Sequence, residues 1–313
     1  MKESRQLRDG IIVPIPTPLL NFDRIDYDGL NNLIECLISA GVSGISILGH
    51  TGEERCLDYD TRKVMISESC RIVDNRVPVL VSISDTSFNE SYILSCYANV
   101  CGATAMVFSP PYYLTAGQAE LIEYYEEILK HMPLPTLLYN IESATNIKIE
   151  PSTILQLIQI DKIIGLKDSS ADIIYMKRVA DIVRREKPDF KLFCGKEEVL
   201  LETMMLGGNG GFTGGANLFP KLYVRLYDAI KSNDFATVNK LQPILMEINK
   251  TIFSIGHYHS SYLKGIKCAL NLMGVIKDDY MVPPFHNFNE PERIKVHEGI
   301  LSIKKQLSGY GIE

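Results

Sequence analysis

Short apolar runs alternate with amphipathic stretches along roughly the first 220 residues of the chain. Eight runs are apolar on both faces and are often bounded by Gly or Pro, a pattern typical of strands in a buried parallel sheet. The predicted strands are 10–16, 44–48, 77–83, 103–108, 135–139, 163–167, 190–194 and 210–213. The stretches between them repeat apolar residues at helical spacing and predict helices over 28–40, 60–73, 89–101, 117–131, 151–159, 172–186 and 197–206.

Strict alternation of strand and helix predicts an α/β fold with a parallel sheet and right-handed crossovers. Eight units favour a closed (β/α)8 TIM barrel. An open doubly wound sheet is the alternative, although no Gly-rich dinucleotide fingerprint follows the first strand. After Phe219 the strands stop, and helices are predicted over 219–232, 234–254, 257–273 and 290–307. We therefore expect a barrel over 1–220 that carries the active site, with a helical extension over 221–313 packed on it.

Composition and charge narrow the class of partner. Of the 313 residues 46% are hydrophobic and 22% charged, close to the average of soluble globular proteins. The net charge of −6 leaves no electrostatic footprint for nucleic acid or an anionic membrane. No apolar run reaches the roughly 18 residues of a membrane helix, and the polar first nine residues are unlike a signal peptide. We expect neither nucleic acid nor a membrane as a partner.

The cysteines and histidines do not predict a metal site. The seven cysteines are scattered without a CxxC pair, which favours free thiols and a cytoplasmic location. His257 and His259 are two residues apart, so on the predicted helix their rings would lie on different faces.

Two side chains at predicted strand ends carry the main chemistry. Active residues of a barrel gather at the carboxyl ends of its strands. Lys167 ends an apolar run, so its amine would lie partly out of water with a lowered pKa, able to attack a ketone and form a Schiff base. Tyr139 ends the neighbouring strand, where its phenol can move protons. The alternatives are a lysine that reaches solvent and an aromatic residue that only lines the rim.

The turn after the second strand is a candidate for binding a carboxylate. Its sequence is Gly49-His50-Thr51-Gly52-Glu53. Two glycines let backbone N–H groups converge, and the Thr51 hydroxyl adds a donor. An ordinary loop between strand and helix is the alternative.

Five motifs follow one another at the ends of predicted strands. They are GHTGE at 49–53, PPYY at 110–113, YN at 139–140, GLKDSS at 165–170 and GGFTGGAN at 210–217. In this order the chain resembles, over nearly its whole length, the dihydrodipicolinate synthase / N-acetylneuraminate lyase family of class I aldolases. The resemblance implies a (β/α)8 barrel with a helical extension, and a homotetramer built as a dimer of dimers.

The resemblance also assigns roles to individual residues. It implies that Lys167 forms a Schiff base with pyruvate or another 2-oxo acid, and that Tyr139 is the proton shuttle. Thr51 and nearby amides, with Gly49 in the same turn, would hold the carboxylate. Tyr113 would reach across the tight-dimer interface into the neighbour's site. The iminium supplies the electron sink, so neither a metal nor an organic cofactor is expected.

Two positions depart from the family pattern. His50 stands where most relatives carry the hydroxyl that links two tyrosines. Its imidazole can act as a relay or as a separate acid or base, or it can turn away and leave the relay broken. Ala144 occupies the position of the arginine with which dihydrodipicolinate synthases grip aspartate semialdehyde. An alanine cannot clamp a carboxylate, which argues against that activity.

Other residues point toward a sugar acid as the substrate. Gly195 is followed by Glu197 and Glu198, which match in type the acidic pair of the neuraminate lyase branch, and Ser169 matches a hydroxyl residue of that branch. The two acids can instead simply begin the next helix, where carboxylates suit the helix dipole. Thr213 ends the last strand and is predicted to line the pocket. Gly214 stands where the neuraminate lyase branch has a serine that contacts the sugar.

The sequence therefore predicts a Schiff-base lyase that cleaves or forms a carbon–carbon bond between pyruvate and an aldehyde, with a sugar acid or an N-acetylneuraminate-like substrate. The alternatives are a 2-keto-3-deoxy sugar acid dehydratase, a dihydrodipicolinate synthase, and a sensor that binds a 2-oxo acid without turnover.

Overall fold

Eight parallel strands close into a barrel, and their order around the ring follows their order along the chain. The computed structural model describes residues 6–312. The barrel strands, numbered β1 to β8, are Gly10–Pro14, Gly44–Ile47, Val79–Ser82, Ala105–Phe108, Thr136–Asn140, Ile163–Asp168, Lys191–Cys194 and Gly210–Phe212. The first and last strands pair in parallel, with Ile11 opposite Gly211, which closes the ring. The predicted (β/α)8 barrel is confirmed, and the open sheet is excluded.

Helices cover the outside of the barrel. In chain order α1 to α8 are Tyr27–Ser39, Tyr59–Val73, Phe88–Cys101, Gln118–His131, Glu142–Thr145, Pro151–Leu157, Ile173–Glu186 and Leu200–Met205. A two-stranded hairpin, Leu19–Asn21 with Arg24–Ile25, precedes α1 and is too short to show a sequence pattern. Within residues 6–312, none of the helices is both long and apolar enough to span a bilayer.

Four helices follow the last strand: α9 Pro220–Lys231, α10 Phe235–Ile248, α11 Ser261–Leu272 and α12 Glu290–Ser308. Two of them differ from the sequence prediction. α10 passes into a single π turn over Asn249–Phe253. α11 begins four residues later than predicted, because Gly256 and His257 adopt positive φ angles of 79° and 55° that end the preceding turn. The division into 1–220 and 221–313 stays a prediction.

The apolar interior has two layers. A large outer core lies between strands and helices. A smaller cluster fills the barrel itself and consists of Ile12, Leu80, Ala105, Val107, Leu137, Tyr139, Ile141, Phe193 and Phe212. Its aromatic members, Tyr139, Phe193 and Phe212, lie at or near the carboxyl ends of their strands. Any side chain that points into the barrel at that level therefore loses most of its contact with water.

A buried ion pair joins the turn after β2 to the helical extension. The ammonium of Lys267 on α11 lies 2.5 Å from the Glu53 carboxylate, and both side chains are at most 1% exposed. The amine also donates to the Tyr280 carbonyl at 2.7 Å, and the other Glu53 oxygen accepts from the Val282 amide at 3.3 Å. This pair fixes one end of the turn whose middle carries Thr51.

Breaking this pair should destabilise the protein strongly. Lys267→Met leaves the Glu53 charge buried without its partner, so we expect a loss of about 3–5 kcal/mol in the free energy of unfolding, measured with urea. Adding Glu53→Gln to that variant should recover part of the loss. Arg71→Met, which breaks the exposed Arg71–Glu68 pair, should lower the free energy of unfolding far less, because water screens an exposed pair. If Lys267→Met and Arg71→Met lowered the free energy of unfolding equally, burial would not make the Lys267–Glu53 pair more important for stability than an exposed pair.

Candidate active site

Lys167 and Tyr139 lie side by side at the mouth of the barrel. β5 and β6 pair in parallel with Tyr139 opposite Lys167, so both side chains point to the same, inner face. The Lys167 amine lies 3.9 Å from the centre of the Tyr139 ring and 4.6 Å from that of Phe212. Lys167 is only 4% exposed. The two residues that the sequence selected are thus neighbours in a largely dry environment.

Burial changes the protonation of Lys167. Loss of hydration lowers the pKa of its amine to about 7, although the charge of the nearby Glu54 carboxylate acts in the opposite direction. A substantial fraction of the amine is therefore neutral at pH 7. A neutral amine is the form that adds to a ketone.

Tyr139 is placed to exchange protons with a molecule bound to Lys167. Ser169 donates a hydrogen bond to the Tyr139 oxygen at 3.3 Å. Burial raises the pKa of the phenol, so the free protein holds it protonated. An iminium cation formed at Lys167 would favour the phenolate, because the two groups are close together. The same side chain can then act as an acid and, after the covalent step, as a base.

Gly195 leaves space for the side chains of Ser169 and Lys167. A Cβ atom at this position would lie 2.0 Å from the Ser169 hydroxyl oxygen and 3.2 Å from Cε of Lys167. The Gly195 amide donates to the Asp168 carbonyl at 2.6 Å, which holds the loop against the end of β6. Gly195 thus lines the pocket, where the absence of a side chain leaves space for its neighbours, and its contact with a substrate stays a prediction.

Asp168 fixes the ends of β5 and β6 from outside the barrel. Its carboxylate accepts from the Asn140 side-chain amide at 2.7 Å and from the Ser170 hydroxyl at 2.8 Å. Asn140 in turn accepts from the Ile149 amide at 3.0 Å. Because Asn140 and Asp168 directly follow Tyr139 and Lys167, this clamp holds the register of the reactive pair.

The turn after β2 brings Thr51 into the pocket. Leu48 and Glu53 adopt positive φ angles of 54° and 57°, whereas Gly49 and Gly52 do not. The Thr17 hydroxyl donates to the Gly52 carbonyl at 2.7 Å and fixes the turn from below. The Thr51 hydroxyl lies 3.2 Å from that of Tyr262, a residue of α11.

His50 lies at the rim, and part of its side chain is exposed. Loss of hydration on its inner side, followed by the positive charges of Lys167 and Arg55, lowers the pKa of the imidazole below its usual value. The ring is therefore neutral at pH 7 and able to accept a proton. It faces the pocket, and its role in a relay stays a prediction.

The acidic pair has mostly internal partners. The Glu197 carboxylate accepts from the Tyr223 hydroxyl at 2.6 Å and from the Gly215 amide at 2.8 Å, and burial raises its pKa to about 7. Glu198 accepts from the side chain of Asn249 in the π turn. Both acids lie in a short 3-10 turn, Glu197–Val199, which leads into α8. Glu197 thus supports the wall of the pocket by connecting β8 to α9.

Together these side chains line a pocket of about 440 Å³. Eight residues selected from the sequence surround it: His50, Thr51, Tyr139, Lys167, Ser169, Gly195, Glu197 and Glu198. Three do not line it. Gly49 begins the β2 turn, and Thr213 is fully buried with its hydroxyl unpaired. Tyr113 is 90% exposed, and its predicted contact with a neighbouring subunit stays a prediction.

Several lining residues were not predicted. Tyr262 and His259 come from the extension, and Ser143 and Ala144 come from the loop that contains α5. No motif marks Tyr262, which lies 211 residues after its partner Thr51. His259 was predicted to lie within a helix over 257–273, whereas the structure places it in the segment before α11, and this change brings it to the pocket.

Position 144 is close to a cation even though it carries no arginine itself. The Arg55 guanidinium donates to the Ala144 carbonyl at 2.9 Å and stacks on Tyr112, 3.7 Å from the ring centre. Arg55 is thus held by the protein at the rim of the pocket. Over residues 6–312, no group of three or more His, Cys, Asp or Glu side chains is arranged to hold a metal ion.

Comparison with known proteins agrees with this geometry. A sequence model of the dihydrodipicolinate synthetase family matches residues 7–303. The chain belongs to this family. It is therefore a lyase related to the class I pyruvate aldolases, as the motifs at its strand ends indicated.

Three relatives within the dihydrodipicolinate synthetase family are informative. A probable 2-dehydro-3-deoxy-D-pentonate aldolase of Escherichia coli, YjhH, is 31% identical over 94% of this chain and 98% of its own. A solved dihydrodipicolinate synthase of Bacteroides thetaiotaomicron is 46% identical, with a TM-score of 0.91 over 94% of this chain and 98% of its own. The solved E. coli protein YagE, in complex with pyruvate, is 29% identical with a TM-score of 0.90, over 96% and 99% of the two chains.

Gly195→Ala should impair catalysis more than folding. The added methyl group would displace the Ser169 hydroxyl from Tyr139 and press on Lys167, so we expect kcat/KM to fall by about 10²-fold, as for a small misplacement of reacting groups. Gly117→Ala is the matched control, because its Cβ would meet nothing closer than 3.5 Å. The measurements are steady-state kinetics and the melting temperature. A Gly195→Ala enzyme with unchanged kcat/KM would contradict the packing described for the pocket wall.

The rate of Schiff-base formation should depend on pH through Lys167. Because the neutral amine reacts and its pKa is about 7, kcat/KM for pyruvate should rise about tenfold per pH unit below 7 and level off above it. The assay is the exchange of pyruvate methyl protons for deuterium. Since burial also raises the pKa of Glu197 to about 7, the profile should be repeated with Glu197→Gln. If kcat/KM of Glu197→Gln no longer rose with pH below 7, the rise in the wild type would be due to Glu197 and not to Lys167.

Proposed function

We propose that this protein cleaves 2-dehydro-3-deoxy sugar acids of five or six carbons, reversibly, into pyruvate and a hydroxyaldehyde. The observation that carries the proposal is the buried Lys167 amine, 3.9 Å from the Tyr139 ring, in a pocket that offers no arginine at position 144. The first feature supports covalent capture of a 2-oxo acid, and the second supports a neutral partner aldehyde.

The lining of the pocket supports a polyhydroxylated substrate. Ser143, Ser169, Glu198 and His259 present hydroxyl, carboxylate and imidazole groups around the mouth. Such groups pair well with sugar hydroxyls, which act as both donors and acceptors. The nearby guanidinium, that of Arg55, is already held by Ala144 and Tyr112. Two relatives have names that support the same substrate class: YjhH is called a probable 2-dehydro-3-deoxy-D-pentonate aldolase, and YagE a putative 2-dehydro-3-deoxy-D-gluconate aldolase.

In the proposed reaction the neutral Lys167 amine adds to the C2 carbonyl to give a carbinolamine. The Tyr139 phenol donates its proton to the departing hydroxyl, which leaves as water, and this step yields the iminium and a Tyr139 phenolate. The phenolate takes the proton of the C4 hydroxyl, and the C3–C4 bond breaks. The aldehyde leaves, while the bonding electron pair moves into the iminium to form an enamine. The Tyr139 phenol then gives its proton to C3. Hydrolysis of the resulting iminium releases pyruvate and the free amine, and the proton released in this step returns to the Tyr139 phenolate. Thr51 holds the carboxylate throughout.

A second candidate is dihydrodipicolinate synthase activity. The 46% identical relative from B. thetaiotaomicron carries that name. This reaction would use the same pyruvate iminium with aspartate semialdehyde, whose carboxylate calls for a cationic partner. Arg55 would have to leave the Ala144 carbonyl to supply it.

Assembly into a tetramer is part of the proposal. The side chains of Tyr113 and Leu114 are exposed to 90% and 77%, and Tyr113 lies outside the pocket of its own chain. An interface over these residues would cover this apolar surface.

Borohydride reduction in the presence of pyruvate tests the covalent step. We expect a reduced pyruvate adduct on Lys167 in peptide mass maps and none in Lys167→Ala. Lys264→Met is the control, because it removes a buried lysine that does not line the pocket. An adduct that forms without Lys167, or no adduct in the wild type, would refute the proposed function.

The same preparation then decides the substrate class. We expect pyruvate release from 2-dehydro-3-deoxy-pentonate or gluconate to exceed condensation with aspartate semialdehyde by at least about 10²-fold in kcat/KM, because the site lacks a free cationic clamp. The reverse ratio would favour the second candidate.

A further inference from the structure

Tyr262 reaches the pocket from the helical extension. It lies in the first turn of α11, and its ring packs edge-on against Phe253, with 5.0 Å between ring centres. Its hydroxyl is 3.2 Å from the Thr51 hydroxyl. The ring is therefore held rigidly, with its polar end directed at the residue proposed to bind the substrate carboxylate.

Tyr262 also explains the glycine at position 214. A Cβ atom on Gly214 would lie 1.7 Å from the Tyr262 hydroxyl oxygen and 2.7 Å from Cζ of the ring. The backbone does not require glycine there, since its φ of −74° suits any residue. The space that a side chain at position 214 would fill is thus occupied by Tyr262. The hydroxyl next to that of Thr51 therefore belongs to Tyr262 on α11 and not to a side chain at position 214.

The hydrogen bond between the two hydroxyls has a favoured direction. A phenol is more acidic than an aliphatic alcohol and is the better donor, and burial keeps the Tyr262 phenol protonated by raising its pKa. If Tyr262 donates, Thr51 accepts with its oxygen and its own proton stays free. That proton can then point toward a carboxylate bound in the pocket.

We propose that Tyr262 is a positioning residue for the 2-oxo acid: it orients the Thr51 hydroxyl toward the substrate carboxylate from the space left open by Gly214. The inference rests on the proposed function, because it assumes that Thr51 binds this carboxylate. It adds that the affinity for the 2-oxo acid depends on the helical extension.

Tyr262→Phe removes the hydroxyl and keeps the ring. Without its donor the Thr51 proton is no longer directed, so KM for pyruvate in the deuterium-exchange assay should rise about five- to tenfold, the equivalent of one ordinary hydrogen bond, while kcat stays within about twofold. The control is Tyr125→Phe, which removes a buried hydroxyl that donates to the Phe108 carbonyl at 3.1 Å, away from the pocket. Its KM should not change. An unchanged KM in Tyr262→Phe would overturn the inference.

A steric exchange gives a second, independent readout. Gly214→Ser alone should lose at least about 10²-fold in kcat/KM, because the new side chain collides with Tyr262. Combining it with Tyr262→Ala removes the collision and brings a hydroxyl back beside Thr51. We expect the double variant to exceed both single variants in kcat/KM by at least about fivefold, the equivalent of one recovered hydrogen bond. A double variant no better than Tyr262→Ala would refute the role of a hydroxyl at this place.

The two proposals fail in different ways. Absence of borohydride trapping of pyruvate on Lys167 in the wild type would overturn the proposed function together with this inference. Normal trapping with an unchanged KM in Tyr262→Phe would overturn only the role of Tyr262.

Discussion

The removal of the Lys167 amine from water is the constraint on which the rest of the site depends. An ammonium that is removed from water loses its hydration free energy. The nearby negative charge of Glu54 offsets only part of this loss. A directly paired carboxylate would restore the ammonium and abolish the nucleophile. The amine lies against the aromatic rings of Tyr139 and Phe212, which belong to the apolar cluster inside the barrel, so this part of the core also lowers its pKa.

Strand register places the two proposed catalytic residues side by side. Lys167 and Tyr139 are opposite each other on neighbouring parallel strands, and a slip of one residue would turn one of them out of the barrel. The Asn140–Asp168 hydrogen bond opposes such a slip from the outer face. Polar residues of the outer layer thus hold the geometry of the two residues that the proposed reaction uses in the inner layer.

The sequence predicted the barrel and eight of the residues that line the pocket because both follow from local signals, such as an apolar run that ends in Lys167. Tyr262 gave no such signal, since its place in the pocket depends on how α11 packs against the barrel. Gly214 was noted as a missing serine, but its cause could be seen only once the Tyr262 ring was in place. For Glu197, residue type suggested a contact with substrate hydroxyls, whereas α9 and the turn after β8 occupy both carboxylate oxygens. Partners from a later helix cannot be inferred from an acidic pair alone.

The helical extension therefore belongs to the active site as much as the barrel does. Two contacts from α11 converge on the single turn after β2: the Lys267–Glu53 ion pair at its end and the Tyr262–Thr51 hydrogen bond at its centre. An ion pair with almost no exposure is stable only in a fixed geometry, since either charge alone would be costly in the interior. Because Glu53 is fixed, the backbone of Thr51, two residues earlier in the same turn, is restrained as well. A barrel without α11 would keep its reactive lysine but would lose the support of the turn that is proposed to hold the carboxylate, so covalent capture and substrate positioning depend on different parts of the chain.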